Sequence, residues 1–518
     1  MTARVTRQRG AGYRPSHTTV GTSLPGRDTG KPGPAEREPR PPFARAYLML
    51  FALVLGAGTA LRLWQVGSRP GWQPDETVYT SVARHILANG LIQDHLQRGM
   101  PWAPFLFHPP FYFLLLANWF RLVGSGIAQA RELAVMSSAV MLCLLFRLIW
   151  RLHGTGAAFL TVGLVTFDGW LLFAERISYI ENTLLVVIVA GLVLYERALR
   201  RQSTAAFIGA GLVLGFAAVF KQTGVYVLPA VALNWFVIRR QDRNHLYLAG
   251  TVITVILAYV IGMIWLFDYG RQQWFLEQSY IQIERVLGLR QSRGTLNSPM
   301  EFIHLLSHQY AIFAPSLVVA IAGIVLLVRR CVQCVRARSW EPVRPNSVLF
   351  SWSACGVLVF GASQLHFPPY FALVLIPVYC YLWTEVYAYV RAKPGRLQVA
   401  VVAWTFVVIL GLGSFYLRVV DHKDNTLWQL QRYAATYIPR NDTVITDEDI
   451  ADVIRQPWCS VARAGACQIS ATYVVTYRTY LQPIAPSGDF AFWKIMRGAT
   501  KVKVFVGFKE TITVWRLR

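Results

Sequence analysis

The residues of this chain best placed to do chemistry are Asp75 and Glu76, in Trp72-Gln73-Pro74-Asp75-Glu76-Thr77-Val78-Tyr79, just beyond the first long apolar run. A carboxylate at a water-accessible membrane surface can act as general base, taking the proton of an acceptor hydroxyl. The pair also fits the start of a helix over Thr77 to Ala88, with Asp75 as N-cap and Glu76 favoured by the helix dipole. Both readings can hold together. The loop ends at His108-Pro109-Pro110, where two prolines stiffen the chain and an imidazole is available to a phosphate. Further on, Glu175-Arg176 and Tyr179-Ile180-Glu181-Asn182 set an ion-pairable cluster at the mouth of two apolar runs, where charge is more costly than on a soluble surface. Lys221 lies between Phe216-Ala217-Ala218-Val219-Phe220 and Val225-Tyr226-Val227-Leu228; it either snorkels to the interface or faces an anion, a carbonyl or water. Arg271, Arg285, Arg290 and Arg293 are interleaved with Trp274, Phe275 and Tyr280, a composition suited to lipid headgroups that also offers guanidinium groups to phosphate.

These residues must be held by membrane-spanning elements. Of 518 residues, 54% are hydrophobic, and apolar runs of spanning length begin near Ala46, Arg131, Gly154, Asn182, Ala205, Thr223, Leu246, Leu306, Ser347, Tyr370 and Gln398. The chain is therefore expected to be an all-α polytopic membrane protein with about 11 transmembrane helices. Phe111 to Val123 is short, follows two prolines and carries Asn118, so it is expected to lie at the interface rather than to span. The formal charge of +24 would suggest nucleic acid in a soluble chain; here the basic residues sit between apolar runs and read as topology, with no nucleic-acid partner. Keeping Phe111 to Val123 on the surface sends Arg147, Arg151, Arg197, Arg200, Arg201, Arg239, Arg240 and the arginines from Arg329 to Arg344 inside. Outside fall the loops 67–130 and 268–304, the turns around Glu181 and His366, and everything beyond Val419. The stretch 205–236, with two short spans around Lys221-Gln222-Thr223, reads equally as a broken or re-entrant pair.

Residues 1–45 hold nine Lys/Arg against three acids and no apolar period, the composition of a disordered cytoplasmic tail. Residues 46–419 form the expected transmembrane domain. Residues 420–518 change character: Thr443–Ile445, Tyr473–Tyr477, Lys501–Val506 and Thr511–Leu517 read as strands of a small extracytoplasmic α/β domain. Cys459 and Cys467 fall within it and are candidates for a disulfide if that side is oxidising. Cys331-Val332-Gln333-Cys334 has no second ligand pair nearby, and Thr446-Asp447-Glu448-Asp449 reads as a helix start, so no metal site is expected.

Taken in order, Asp75-Glu76, His108-Pro109-Pro110, Phe167-Asp168-Gly169-Trp170 running on to Arg176 and Glu181, Gly215 to Pro229 with Lys221, and His366-Phe367-Pro368-Pro369-Tyr370 with Pro377 resemble the GT-C membrane glycosyltransferases. The closer likeness is to the branch of protein O-mannosyltransferases and lipid A aminoarabinose transferases. Two positions depart from that pattern: His108 stands where Lys is common, and Glu181 where Asp is common. The large β-trefoil insertion of eukaryotic protein O-mannosyltransferases is missing. The resemblance implies inverting transfer of a sugar, mannose or related, from a polyprenyl-phosphate carrier to an acceptor hydroxyl on the extracytoplasmic face, with no cofactor and no divalent metal. It implies Asp75 as general base and Glu76 and Glu181 as groups that position acceptor or sugar. Arg176, Lys221 and one or more of Arg285, Arg290 and Arg293 would stabilise the leaving phosphate, and His108, His366 and Tyr370 would complete the substrate site. The acceptor is a protein, a lipid or a cell-wall glycan. The excess of Arg over Lys and the missing insertion point to a bacterial plasma membrane, N-terminus inside. A transporter or flippase of a lipid-linked sugar would need similar charges, but transporters often carry internal repeats and this chain shows none. A non-catalytic glycan-binding relative would more naturally lack the carboxylates at 75 and 181.

Overall fold

The computed structural model describes residues 44–90, 108–238, 243–266, 269–286, 313–362, 368–392, 396–420, 426–446, 450, 453–454, 456, 458–460, 471–479, 496–506 and 510–517. The described part opens with α1 (Ala44–Leu63), α2 (Pro74–Asn89), α3 (Phe111–Val123), α4 (Ile127–His153), α5 (Thr155–Phe167) and α6 (Gly169–Ala174). It continues with α7 (Ile180–Arg201), α8 (Thr204–Phe220), a 3-10 turn (Gln222–Tyr226), α9 (Val227–Ile238), α10 (Asn244–Leu266) and α11 (Tyr269–Val286). Four more long helices follow: α12 (Ala314–Ala337), α13 (Ser347–Ala362), α14 (Pro368–Arg391) and α15 (Arg396–Phe415). Every apolar run expected from sequence contains a helix. Among the described residues seven helices are long and apolar enough to cross a membrane, and α5 and α8 are shorter apolar helices of 13 and 17 residues. The chain is a multi-pass integral membrane protein.

Which helices touch lipid is legible from side-chain exposure. Leu48, Met49 and Leu53 of α1, Ile253, Leu257 and Ile261 of α10, Val318, Ile321 and Val325 of α12, and Val399, Val402 and Phe406 of α15 are all exposed. Such belts are stable only in a nonpolar solvent. By contrast α7 and α14 bury most of their length and form the centre. Helix α8 crosses close to α10 because Gly211 and Gly215 remove two side chains from one face: a Cβ on Gly211 would lie 2.8 Å from the Leu248 carbonyl oxygen.

Helix α3 begins directly after the two prolines. Tyr112, Phe113, Leu116, Ala117 and Phe120 are buried, while Leu114, Leu115 and Leu122 stay exposed. The Phe167-Asp168-Gly169-Trp170 stretch separates α5 from α6. Asp168 caps α6, accepting from the Leu171 N–H at 2.9 Å, and its other oxygen accepts from the Ser316 hydroxyl at 2.6 Å and the Tyr379 hydroxyl at 2.5 Å. That one buried carboxylate ties α6 to α12 and α14.

Beyond the bundle, α16 (Thr426–Tyr437) precedes a five-stranded sheet of β1 (Thr443–Thr446), β2 (Trp458–Ser460), β3 (Ala471–Thr479), β4 (Thr500–Val506) and β5 (Glu510–Arg516). The order is β2-β1-β3-β5-β4, with β1 parallel to both neighbours and β5 antiparallel to β3 and β4. Four of these strands are those the alternation indicates; the three-residue β2 carries too little pattern to be seen. Leu427, Leu430 and Ala434 of α16 pack on Val444, Val475, Ile512 and Val514. Cys459 lies on β2 and Cys467 lies outside the described residues, so their pairing does too.

Candidate active site

Asp75 and Glu76 both sit in the first turn of α2, yet they face different surroundings. Glu76 is fully buried and Asp75 is exposed. Arg131, one turn into α4, donates from Nε to Glu76 Oε1 at 2.7 Å and from Nη2 to Oε2 at 2.6 Å. The Ser178 N–H donates to Oε1 and the Gln73 N–H to Oε2, both at 2.9 Å. A carboxylate has about four acceptor positions, and all four are taken. The sequence reading placed Glu76 with acceptor or sugar; its geometry is that of a framework residue that fixes α2, α4 and the 175–179 loop together.

Two guanidiniums, those of Arg131 and Arg176, grip the chain before α2. Arg131 Nη1 donates to the carbonyls of Val66 and Pro70 at 3.0 and 2.9 Å, and Nη2 to Gly71 at 3.2 Å. Arg176 donates to the carbonyls of Leu61, Trp64 and Arg69, the last two at 2.5 and 2.8 Å, and lies over the Phe415 ring. Burial, and then the neighbouring Arg131, Arg62 and Arg69, pushes its pKa down from the usual guanidinium range. Arg176, read from sequence as a phosphate contact, here caps the C-terminal end of α1. Its neighbour Glu175 pairs with Arg62 of α1, Nη2 to Oε2 at 2.5 Å, with both side chains buried.

Asp75 belongs to a different group. The chain breaks out of helix at Lys221, whose backbone is extended (φ −153°, ψ 139°), and resumes as the 3-10 turn before α9. Gly224 makes the return possible, since a Cβ there would run into the Ala217 carbonyl. The break divides the 205–236 stretch into α8 and α9, which run in opposite directions with the Lys221 ammonium at the turn between them. There it pairs with Glu181, in the first turn of α7; both side chains are about 3% exposed. The ammonium also lies 5.2 Å from the Tyr370 ring centroid. The charges of Asp75 and Glu181 act together on Tyr79, Lys221 and Tyr370, which places all five in one electrostatic cluster.

Tyr79 is one helical turn beyond Asp75 and was not singled out from sequence, although i, i+4 spacing puts it on the same face. Its hydroxyl lies 3.4 Å from His108 Nε2, and its ring meets Tyr112 and Phe113 edge-on. Burial above all, then the Asp75 charge, holds its pKa well above the usual phenol range, so it stays a neutral donor. Of the sequence candidates, Asp75, His108, Glu181, Lys221 and Tyr370 therefore converge. Glu76 and Arg176 form the frame behind them. Arg285 lies on α11; Arg290, Arg293 and His366 lie outside the described residues.

A family profile described as dolichyl-phosphate-mannose-protein mannosyltransferase matches residues 107–265, a span that holds His108, Arg131, Glu181 and Lys221. No curated protein matches the chain by sequence. Among solved structures, ArnT from Cupriavidus metallidurans bound to undecaprenyl phosphate superposes with a TM-score of 0.62 at 14% identity, covering 91% of this chain and 98% of that one. Its apo state gives 0.60 at 15% identity, with the same coverage. The fold is GT-C. The oligosaccharyltransferase of Archaeoglobus fulgidus, solved with Zn and sulfate, is also similar, with a TM-score of 0.51 at 12% identity over 83% of this chain and 67% of that chain. In GT-C terms the cluster around Asp75 lies at the end of the bundle that carries the small α/β domain, because Trp72, three residues before Asp75, bonds to Thr426 of α16. The turn after α7, with Arg200 and Arg201, and the Arg330–Glu385 pair lie at the opposite end.

Proposed function

We propose that this protein transfers a sugar, mannose or a related one, from a polyprenyl-phosphate carrier to an acceptor hydroxyl, with inversion and with Asp75 as general base. The observation that carries this reading is the contrast within one helical turn: Glu76 is saturated by framework bonds, while Asp75 is exposed beside a buried Lys221–Glu181 pair. An exposed carboxylate next to a desolvated cation suits a displacement in which a hydroxyl loses a proton as a phosphate leaves. Asp75 would align and deprotonate the acceptor. Lys221 would turn from Glu181 toward the phosphate as negative charge develops, aided by His108 and by arginines of the 268–304 loop. Glu181 and Tyr370 would hold the sugar. The scheme needs no divalent metal, since the ammonium and guanidinium groups supply the countercharge.

The binding of undecaprenyl phosphate by an ArnT of the same fold supports a lipid-phosphate donor. We place the site on the outer face of a bacterial plasma membrane, with the acidic cluster and the α/β domain outside and the arginine-rich turns inside. The acceptor is a protein, a lipid or a cell-wall glycan. Purified protein in liposomes, supplied with undecaprenyl-phosphate-linked mannose, glucose and aminoarabinose, tests the reading. Wild type should consume one donor and Asp75→Asn should slow that reaction by about 100-fold or more. Equal movement of labelled lipid between leaflets in both proteins, with no donor consumed, would replace transfer by transport.

A further inference from the structure

The peptide groups on either side of Trp72 are held by the membrane domain, while its side chain is held by the α/β domain. On one side of it the Gly71 carbonyl accepts from Arg131; on the other the Gln73 N–H donates to Glu76. Between these fixed points the indole leaves the bundle and enters the core of the α/β domain, buried to 5% exposure among Leu427, Leu430, Ala434, Ile450 and Phe505. Its Nε1–H donates to the Thr426 hydroxyl at 3.2 Å. A second contact lies beside it: Ile127, the first residue of α4 and one turn before Arg131, packs on the same apolar cluster.

Both contacts thus fall within a turn of the Glu76–Arg131 clamp, and Trp72 is three residues from Asp75. We propose that Trp72 is a positioning residue through which the α/β domain sets the first turn of α2, and with it the Asp75 carboxylate. An indole gripped by a folded core has little freedom, and the three residues from Trp72 to Asp75 include Pro74, which restricts the path further. The α/β domain is then a part of the catalytic framework. This rests on the proposed role of Asp75, but its structural half is testable without any donor.

The test uses full-length protein in nanodiscs, wild type against Trp72→Ala, Trp72→Phe and Thr426→Val. Hydrogen exchange is followed through α2 and through α7, and turnover is measured with the undecaprenyl-phosphate sugar panel. The expected result is faster exchange in α2 but not α7 for Trp72→Ala, with kcat reduced about 100-fold and the donor KM nearly unchanged. Trp72→Phe should restore both, and Thr426→Val should fall between. Unchanged exchange in α2 of Trp72→Ala overturns the proposal, as does faster exchange with an unaltered kcat. Exchange that rises equally in α2 and α7 also overturns it, because Trp72 then serves global stability alone. If wild type consumes no donor, the assigned function fails separately, and the exchange result by itself decides whether the domain positions α2.

Discussion

The Lys221 ammonium meets the Glu181 carboxylate at the turn between α8 and α9, so that the pair is buried where these two helices meet the start of α7. A turn between two membrane helices exposes backbone polarity that a continuous helix hides, and it occurs where protein, water or a cavity can satisfy it. Placing a compact cation there, against an acid it can release, differs from placing it on a helix face. The cation has a buried partner at rest, and the proposed mechanism has it turn to the donor phosphate.

Separate and joint removal of this pair distinguishes its two roles. Lys221→Met leaves a buried carboxylate uncompensated and should cost about 3–5 kcal/mol, read by thermal unfolding in detergent. The double variant Lys221→Met with Glu181→Leu should recover most of that stability. Sugar transfer should be lost in both. Recovery of transfer together with stability would show that the pair is structural only.

Neighbouring carboxylates should separate in the opposite way. Glu76→Gln strands Arg131 in a buried site and should destabilise by about 3–5 kcal/mol. Asp75→Asn alters an exposed group in the first turn of α2 and should cost only about 1 kcal/mol or less, while slowing transfer. Unfolding curves and donor turnover on the same two preparations make the comparison. Equal stability losses would remove the distinction drawn between the two residues.

The Asp168 hub offers a test of the frame away from the site. Tyr379→Phe removes one of the hydroxyl donors to Asp168 and should cost about 1.5–3 kcal/mol, the range for a hydrogen bond to a charged group. The loss should appear in the unfolding midpoint, with donor KM unaltered at temperatures where the variant is folded.

Close approach of α8 and α10 depends on bare glycine. Gly211→Ala would press a methyl onto the Leu248 carbonyl at 2.8 Å and should destabilise by about 1–3 kcal/mol, whereas Gly209→Ala meets open space and should be harmless. Matching gains in the two variants would show that helix propensity, and not packing, governs this segment.

Much of this architecture is written in local sequence. The apolar runs, the short helix after His108-Pro109-Pro110 and four of the five strands follow from period, length and proline placement. The site is less legible because its logic is set by partners far along the chain. Asp75 and Glu76 look alike in sequence; Arg131, 55 residues on, decides which is saturated. Arg131 itself had a signal, a charge at the very start of an apolar run of spanning length, where charge is costly unless employed. The carbonyls of Leu61, Trp64 and Arg69 to which Arg176 donates lie more than 100 residues before it and cannot be seen in a string of letters. Tyr79 was reachable through its spacing from Asp75. The tie between Trp72 and Thr426 spans 354 residues and has no local trace.

The Arg62–Glu175 pair has a consequence for how the protein is made. Its two partners lie 113 residues apart, and at a synthesis rate of about 5–20 residues per second that interval lasts roughly 6–23 s. Helix α1 therefore leaves the ribosome long before its countercharge exists, and Arg62 must wait near water or lipid phosphate rather than in the hydrocarbon. The first helix to be made is seated late, when the α6–α7 corner arrives to receive it.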